Sequence, residues 1–374
     1  MPSFDPLSAS AANPDADALR AAFDAPSPGT VGIEEELMLL DAGTLDLAHR
    51  APEVVAALGD ARFKLELPAA QLEIVLPPAP TVAEAAAALA EARRDLVAGL
   101  PAGLTVAAAG LHPFADREGA LNPGPRYERT EAEYGDIARR QLVFALQVHV
   151  AVGDAERSLA VYNALRSYLP ELAALAANAP FHDGRDTGMA SARPTIAETL
   201  PRQGVPPVLR SWEEYAEALR WVDDPGRWWW ELRPHARHGT LELRVPDAQT
   251  TVADAAAVAA VTQALVLRLA DRVDAGEDLP VHDTWRIEEN RWSAARHGVD
   301  GRLHDLDTGA TTATRERLHA LLDELEPTAA ALGSAAEVRH ARELVERNGA
   351  LRMRAAAGGD PRAATAWLAE RFLA

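Results

Sequence analysis

No cysteine occurs among the 374 residues. That excludes disulfides, thiolate zinc sites and covalent thiol catalysis, and leaves oxygen and imidazole donors for any metal. Lysine is nearly absent too: Lys64 is the only one, and every other cationic side chain of that class is arginine. Phosphates or carboxylates would therefore be met by arginine, backbone amides or a metal. Net positive charge is missing as well. At −19, the chain has no general surface for nucleic acid or an anionic membrane. No GxxxxGK[ST] segment occurs, which excludes a P-loop nucleotide site. The Pro/Ala/Ser-rich start lacks a basic n-region and an apolar h-region, and no apolar run reads as spanning length. These absences lead us to expect a cytoplasmic protein without nucleic-acid or membrane partners.

What is present reads as globular, with 48% hydrophobic and 25% charged residues, and the length suits one large domain or two ordinary ones. Residues 1–29 are expected to form a disordered leader, and 30–374 a single domain with a helical C-terminal extension from about 300. Alternating segments predict strands over Val31–Leu40, Phe63–Leu67, Gln71–Leu76, Thr105–Gly110, Leu142–Val152, Trp228–Arg233 and Thr240–Val245. Helical patterns lie between them, with Thr81 and Asp154 as N-caps and an interruption near Pro170. Strands that follow one another without a helix favour an α+β fold with a mostly antiparallel sheet.

The segment VGIEEELMLL, Val31–Leu40, places three consecutive glutamates inside an apolar strand. Alternation puts Glu34 and Glu36 on one face and Val31, Ile33, Glu35, Leu37 and Leu39 on the other. The habit recurs. Glu73 opposes Leu72 and Ile74; Gln147 and His149 oppose Leu146, Val148 and Val150; Glu242 and Arg244 oppose Leu241 and Leu243; Lys64 and Glu66 oppose Leu65 and Leu67. A merely solvated face usually mixes Thr, Lys, Ser and Gln. This one carries Glu34, Glu36, Glu66, Glu73, His149 and Glu242, an acidic set that is costly without cations. Carboxylates with one imidazole suit Mg²⁺ or Mn²⁺ rather than structural zinc. Hard divalent ions held this way bridge polyphosphate oxygens and screen a transferred phosphoryl group.

The blocks GIEEELMLLD, ELPAAQLEIV, QVHVAVG, LRSYLPELAALAANAPFHDGRDTGMASARP, WWWELRPHARHGTLELRVPD and ENRWSAARHG, in that order, resemble the type 2 glutamate–cysteine ligases, a family of carboxylate–amine ligases. The resemblance covers roughly Thr30 to Arg296. It implies a glutamine-synthetase-like catalytic fold, in which a curved antiparallel sheet forms a funnel backed by helices. It also implies Mg²⁺- and ATP-dependent activation of glutamate as an acyl phosphate, followed by attack of an amine such as cysteine. ATP would be the co-substrate, and glutamate and the amine the small-molecule partners. On this similarity Glu36, Glu66 and Glu73 would hold one ion, and Glu34, His149 and Glu242 another. A phosphotransferase of the guanidino-kinase kind, or a non-catalytic homologue, would share the fold.

Several arginines fit such chemistry, since a carboxylate and a triphosphate both need bidentate cations. Arg233 and Arg244, on strands of the proposed funnel, are the expected catalytic pair. Arg166, Arg193, Arg291 and Arg296 are expected to bind the nucleotide. Asn178 and Asp186 are available for an amino group, and Trp229 for the pocket wall beside Arg233. Tyr127, in NPGPRYERT, is expected on a mobile loop that shields the intermediate from water. The alanine- and leucine-rich C-terminal helices could pack on the sheet or form a homodimer.

Overall fold

The computed structural model describes residues 13–222 and 225–374. Its organising element is the long strand β1 (Val31–Asp41), whose apolar side chains alternate with the glutamates. Along one edge β1 pairs with β3 (Gln71–Val75), which in turn pairs with β2 (Phe63–Leu65). Along the other edge it pairs first with β5 (Leu146–Ala151) and then with β4 (Leu104–Ala107). A separate two-stranded ribbon joins β6 (Phe181–His182) to β7 (Arg185–Asp186). The hairpin β8 (Leu232–His235) and β9 (Thr240–Leu243) completes the main sheet, of seven strands in the order β2-β3-β1-β5-β9-β8 with β4 beside β1. Every pairing in it is antiparallel. The fold is α+β.

One face of this sheet is covered by helices. Ile33, Leu37, Leu72, Ile74, Val148, Val150, Leu241 and Leu243 join one buried cluster with Leu89, Leu96, Val258, Val261 and Leu265 from helices Val82–Gly99 and Val252–Asp274. Burying each such side chain contributes about 1.5–3 kcal/mol, which fixes the register and so aims the alternate residues at the other face. The caps read from sequence are present: Thr81 accepts from the Glu84 amide at 3.2 Å and Asp154 from the Arg157 amide at 2.7 Å. The interruption is a 3₁₀ turn, Arg166–Tyr168, after which Pro170 sits in the first turn of Leu169–Leu175.

Three expectations are corrected. Residues 1–12 of the expected leader lie outside the described residues, but Ala16–Asp24 is a helix capped by Asp15, with Leu19 and Phe23 fully buried. It approaches the β8–β9 turn so closely that a Cβ on Gly239 would fall 1.8 Å from the Ala22 carbonyl oxygen. Helix Val252–Asp274, with a mean hydropathy of 1.6 over its most apolar window, does have the length and composition of a span; 78% of that window is buried inside the protein. Finally, NPGPRYERT is not a loop: Pro125–Tyr134 is a helix with no buried residue.

The C-terminal part packs mostly on the helical layer, and its last helix, Pro361–Arg371, reaches strand β4 of the sheet, as expected. Thr314–Ala331 and Ala335–Arg347 lie against Val252–Asp274. Beyond the last helix, Pro361–Arg371, buried Phe372 lies under the Arg93 guanidinium, 4.4 Å from ring centre, and accepts from it at 2.7 Å through its carbonyl oxygen. Strands β10 (Arg302–His304) and β11 (Thr311–Ala313) form a further small ribbon.

Candidate active site

The uncovered face of the sheet carries the charged residues in registered rows. Glu36 on β1 lies opposite Glu73 on β3, which lies opposite Lys64 on β2. One pleat along, Glu34 lies opposite Gln147. The next row runs Gly32, His149, Glu242, Arg233 across β1, β5, β9 and β8. Gly32 matters here, because a Cβ there would come within 3.3 Å of the His149 Cβ. The ring instead rests against the strand, with Nε2 3.7 Å from Glu34 Oε1.

The carboxylates differ sharply in what neutralises them. Glu36 is buried and accepts from the Ala145 amide at 2.7 Å and from Gln147 Nε2 at 3.0 Å. Burial, and then Glu66, push its carboxyl up to about 7, against the opposing pull of Arg244 and Arg193. Burial also holds Glu73 well above the carboxylate range, reinforced by Glu66, Glu34 and Glu36 and only partly offset by Lys64. That shift places Glu66 among the other acids, although it lies just past the end of β2. Among the described residues no donor hydrogen-bonds the side chains of Glu34, Glu66 or Glu73. His149 Nδ1 pairs with Thr240 Oγ1 at 3.0 Å, while its buried Nε2 has no hydrogen-bond partner.

Glu242 departs from the set. Burial alone would raise its carboxyl, but Arg233 and Arg244 hold it well below the usual range. Arg244 Nη1 donates to Glu242 Oε1 at 2.5 Å, and Arg233 donates to both of its oxygens. Its charge is matched by two guanidiniums.

This donor set fits hard divalent cations. The face holds several carboxylates in mutual repulsion, a single ammonium at its edge and an orphaned imidazole nitrogen. Among the described residues no three acidic or imidazole side chains form a ready-made metal cage. Mg²⁺ commonly takes only one or two protein carboxylates and otherwise binds water and substrate oxygens.

The arginines expected to bind nucleotide separate into two groups. Arg193, from the short helix Arg193–Ala197, donates to Asp247 Oδ1 at 2.7 Å and to the Val245 carbonyl at 2.6 Å, and reaches a pocket that Glu36 and Arg244 also line. Arg291 stands behind that pocket, bidentate to buried Glu231 at 2.5 and 2.8 Å. Arg166 is not brought to this face: it is fully buried and clasps the Pro206 and His282 carbonyls and Thr284 Oγ1. Nor is Arg296, which binds the Gly188 carbonyl. Asn178 is a buried scaffold residue, donating to Ala248 O at 2.8 Å, and exposed Asp186 pairs with Arg354. Trp229 lines the pocket as expected, but beside Arg244 and not Arg233.

Glu35, left without a role by sequence, faces the helices. Fully buried, it forms a bidentate ion pair with Arg93 at 2.5 and 2.9 Å. The signal was available: Arg93 falls on the Ala85–Leu89–Leu96 stripe of its helix, where a lone cation needs a buried partner. Sequence reasoning also missed Glu231, two residues before Arg233.

A sequence profile of glutamate-cysteine ligase family 2 matches residues 30–364. The chain belongs to that family. As a family 2 member it is a ligase. A Rubrobacter xylanophilus protein provisionally named glutamate–cysteine ligase 2-3 is 38% identical over 335 residues, covering 86% of this chain and 90% of its own. A Thermobifida fusca protein provisionally named glutamate–cysteine ligase 2 is 35% identical, over 84% of this chain and 83% of its own. Among solved structures, the Francisella tularensis glutamate–cysteine ligase in complex with AMP superposes with a TM-score of 0.69 at 12% identity, over 92% of this chain and 88% of that one. A bifunctional glutathione synthetase from Pasteurella multocida gives 0.65 at 16% identity, over 96% of this chain and 53% of that one. At such identities the likeness is one of fold, and it agrees with the antiparallel sheet and helical layer expected from sequence.

Proposed function

We propose that the charged face joins a carboxylate, expected to be the γ-carboxylate of glutamate, to an amine at the expense of ATP. The observation that carries this reading is the unneutralised cluster Glu34, Glu36, Glu66 and Glu73 lying next to Arg244 and Arg193. Divalent cations on Glu34, Glu36, Glu66, Glu73 and His149 would screen the repulsion between substrate carboxylate and γ-phosphate. Membership in glutamate-cysteine ligase family 2 supports glutamate and cysteine as the first substrates to try.

The chain's own residues have separable tasks. Arg244, fixed by Gln147 at 2.7 Å and by Glu242, presents its free nitrogens to the phosphoryl group. Arg233 and Glu242 hold it in place, so removing either misaligns a charge rather than a contact. Attack of the carboxylate on the γ-phosphate releases ADP and gives an acyl phosphate. Attack of the amine then forms the amide and releases phosphate. Positioning and charge matching dominate both steps, and no side chain need form a covalent bond. Water must be kept from the acyl phosphate, and the helix Pro125–Tyr134 is suited to cover it: Tyr127 O–H donates to the Leu65 carbonyl at 2.8 Å, beside Glu66.

The test is ADP and phosphate release with Mg²⁺, ATP and glutamate, alone and with a panel of amines led by cysteine. Amine-dependent release with a matching γ-glutamyl product by mass spectrometry supports the ligase. A phosphorylated product that accumulates without an amide supports a phosphotransferase, and no turnover with any acid or amine overturns the reading.

A further inference from the structure

The helix Pro125–Tyr134 has no buried residue, yet it is fixed near both ends. Near its start the Tyr127 hydroxyl donates to the Leu65 carbonyl of β2 at 2.8 Å. At its last residue the Tyr134 hydroxyl accepts from Arg202 Nη2 at 2.8 Å. The Tyr134 ring lies 5.7 Å from the Trp229 ring and 5.7 Å from the Arg227 guanidinium. These partners are themselves joined. Arg202 Nε donates to the Arg227 carbonyl at 2.9 Å, and its guanidinium stands 5.7 Å from the Trp229 ring centre. β2 is one edge of the main sheet, and Trp229 lies just before β8, the opposite edge. Trp229 also lines the pocket shared with Glu36 and Arg244. The helix thus joins the margin beside Glu66 to the far wall of the pocket.

The two pins differ in kind. Tyr127 holds a strand carbonyl, which moves only with the sheet. Tyr134 is held by side chains alone, and the helix is flanked by Gly124 and Gly135 at φ 127° and 59°. Neither glycine answers to crowding, since a Cβ on either would meet nothing within 4 Å. Both sit in backbone conformations that glycine adopts at low cost, and a short helix between two such joints can turn as one piece.

We propose that Tyr134 is the latch of a strap across the charged face, and that its clasp on Arg202 and Trp229 couples ATP consumption to amide formation. This rests on the ligase reading and adds a positioning residue to it, since Tyr134 acts through the helix and touches no reacting atom. The need is chemical. Water attacking the acyl carbon in place of the amine displaces phosphate and returns the free carboxylate, so ATP is consumed without product. Released from Arg202 and Trp229, the strap swings on its glycines and admits substrates. Latched, it keeps water out until the amine attacks. Because Trp229 belongs to both latch and pocket, a filled pocket steadies the ring on which Tyr134 rests.

Two variants of the full chain test this: Tyr134→Phe, which removes the acceptor and keeps the ring, and Arg202→Gln, which removes the donor. With Mg²⁺, ATP and glutamate but no amine, each should raise ADP release about tenfold, the shift in an open–closed equilibrium expected from one charge-assisted hydrogen bond. With saturating amine, ADP released per amide should rise in both, while the KM for glutamate stays within about twofold because neither residue touches substrate. The double variant should uncouple no more than either single one, since both break the same bond. Amide hydrogen exchange over residues 126–134 should quicken about tenfold in Tyr134→Phe, with the melting temperature unchanged. In a chain that forms amide, an unchanged ratio of ADP to amide, or a proportional fall of both, overturns the latch. Unchanged exchange overturns it as well. Exchange does not depend on turnover, so if it quickens while no amine yields amide, the latch stands and the ligase reading falls.

Discussion

At the scale of single residues, the neighbours Glu35 and Glu36 show how one pleat separates stability from function. Glu35 faces the helices and neutralises Arg93, which also donates to the Thr250, Gln249 and Phe372 carbonyls. Glu35→Gln leaves that guanidinium buried without a counter-charge, and should cost about 3–5 kcal/mol in a urea unfolding titration. Glu36 sits among other acids, where its charge is a burden on the folded state. Glu36→Gln should shift stability by less than about 1 kcal/mol while abolishing ADP release. The acids of the charged face were legible because strand alternation has a period of two. The exact register that sets Arg233 opposite Glu242 was not, although the two lie on the arms of one hairpin that the pattern of Trp228–Val245 suggests. Nor was the place of Arg166, whose clasp on Pro206, His282 and Thr284 joins segments far apart in the chain.

At the scale of elements, the connections were less readable than the strands they join. The segment NAPFHDGRDTG, whose polarity suits a loop, contains the β6–β7 hairpin, whose turn residues Asp183 and Gly184 both take positive φ, at 55° and 73°. Asp-Gly flanked by two short strands is a hairpin signal that the surrounding polarity obscured. The turn after β4 offers a pH test. His112 is buried, its Nδ1 accepts from the Phe114 and Ala115 amides at 3.2 and 2.8 Å, and its Nε2 meets the Leu45 carbonyl at 2.9 Å. Burial, opposed weakly by the Leu45 carbonyl and Asp46, lowers its pKa to about 4. The folded state therefore favours neutral imidazole. The stability this contributes is complete above the ordinary value of about 6.5, declines as pH falls below it, and is gone near 4. The loss should reach about 3 kcal/mol between pH 7 and 4, and His112→Gln should remove this dependence from unfolding free energies measured across that range.

At the scale of the whole molecule, the helical layers serve to hold one charged face in register. The C-terminal helices, expected either on the sheet or at a subunit contact, build outward from Val252–Asp274 and return to the core through Phe372. Deleting residues 361–374 strips Arg93 of a carbonyl partner and an aromatic cover, and should abolish cooperative thermal unfolding rather than merely lower its midpoint. The acidic face itself should respond to cations. Mg²⁺ or Mn²⁺ should raise the melting temperature by mass action, adding about 2.7 kcal/mol of stability at 100 times the dissociation constant. The Glu36→Gln, Glu73→Gln double variant should melt no lower than the wild type without metal and lose the cation response. A wild type indifferent to both ions would remove the metal role from these residues. The antiparallel sheet with its backing helices was legible from sequence. The docking of the N-terminal helix was not, because it depends on Gly239 lying under Ala22, a contact that local pattern cannot reveal.

The central claim is that a carboxylate is phosphorylated on this face before the amide forms. Glutamate labelled with ¹⁸O in its γ-carboxylate, supplied with Mg²⁺, ATP and the accepted amine, tests it directly. The account predicts one ¹⁸O atom in each phosphate released, because the oxygen that attacks the γ-phosphate leaves with it. Phosphate free of label, formed alongside amide product, would contradict it.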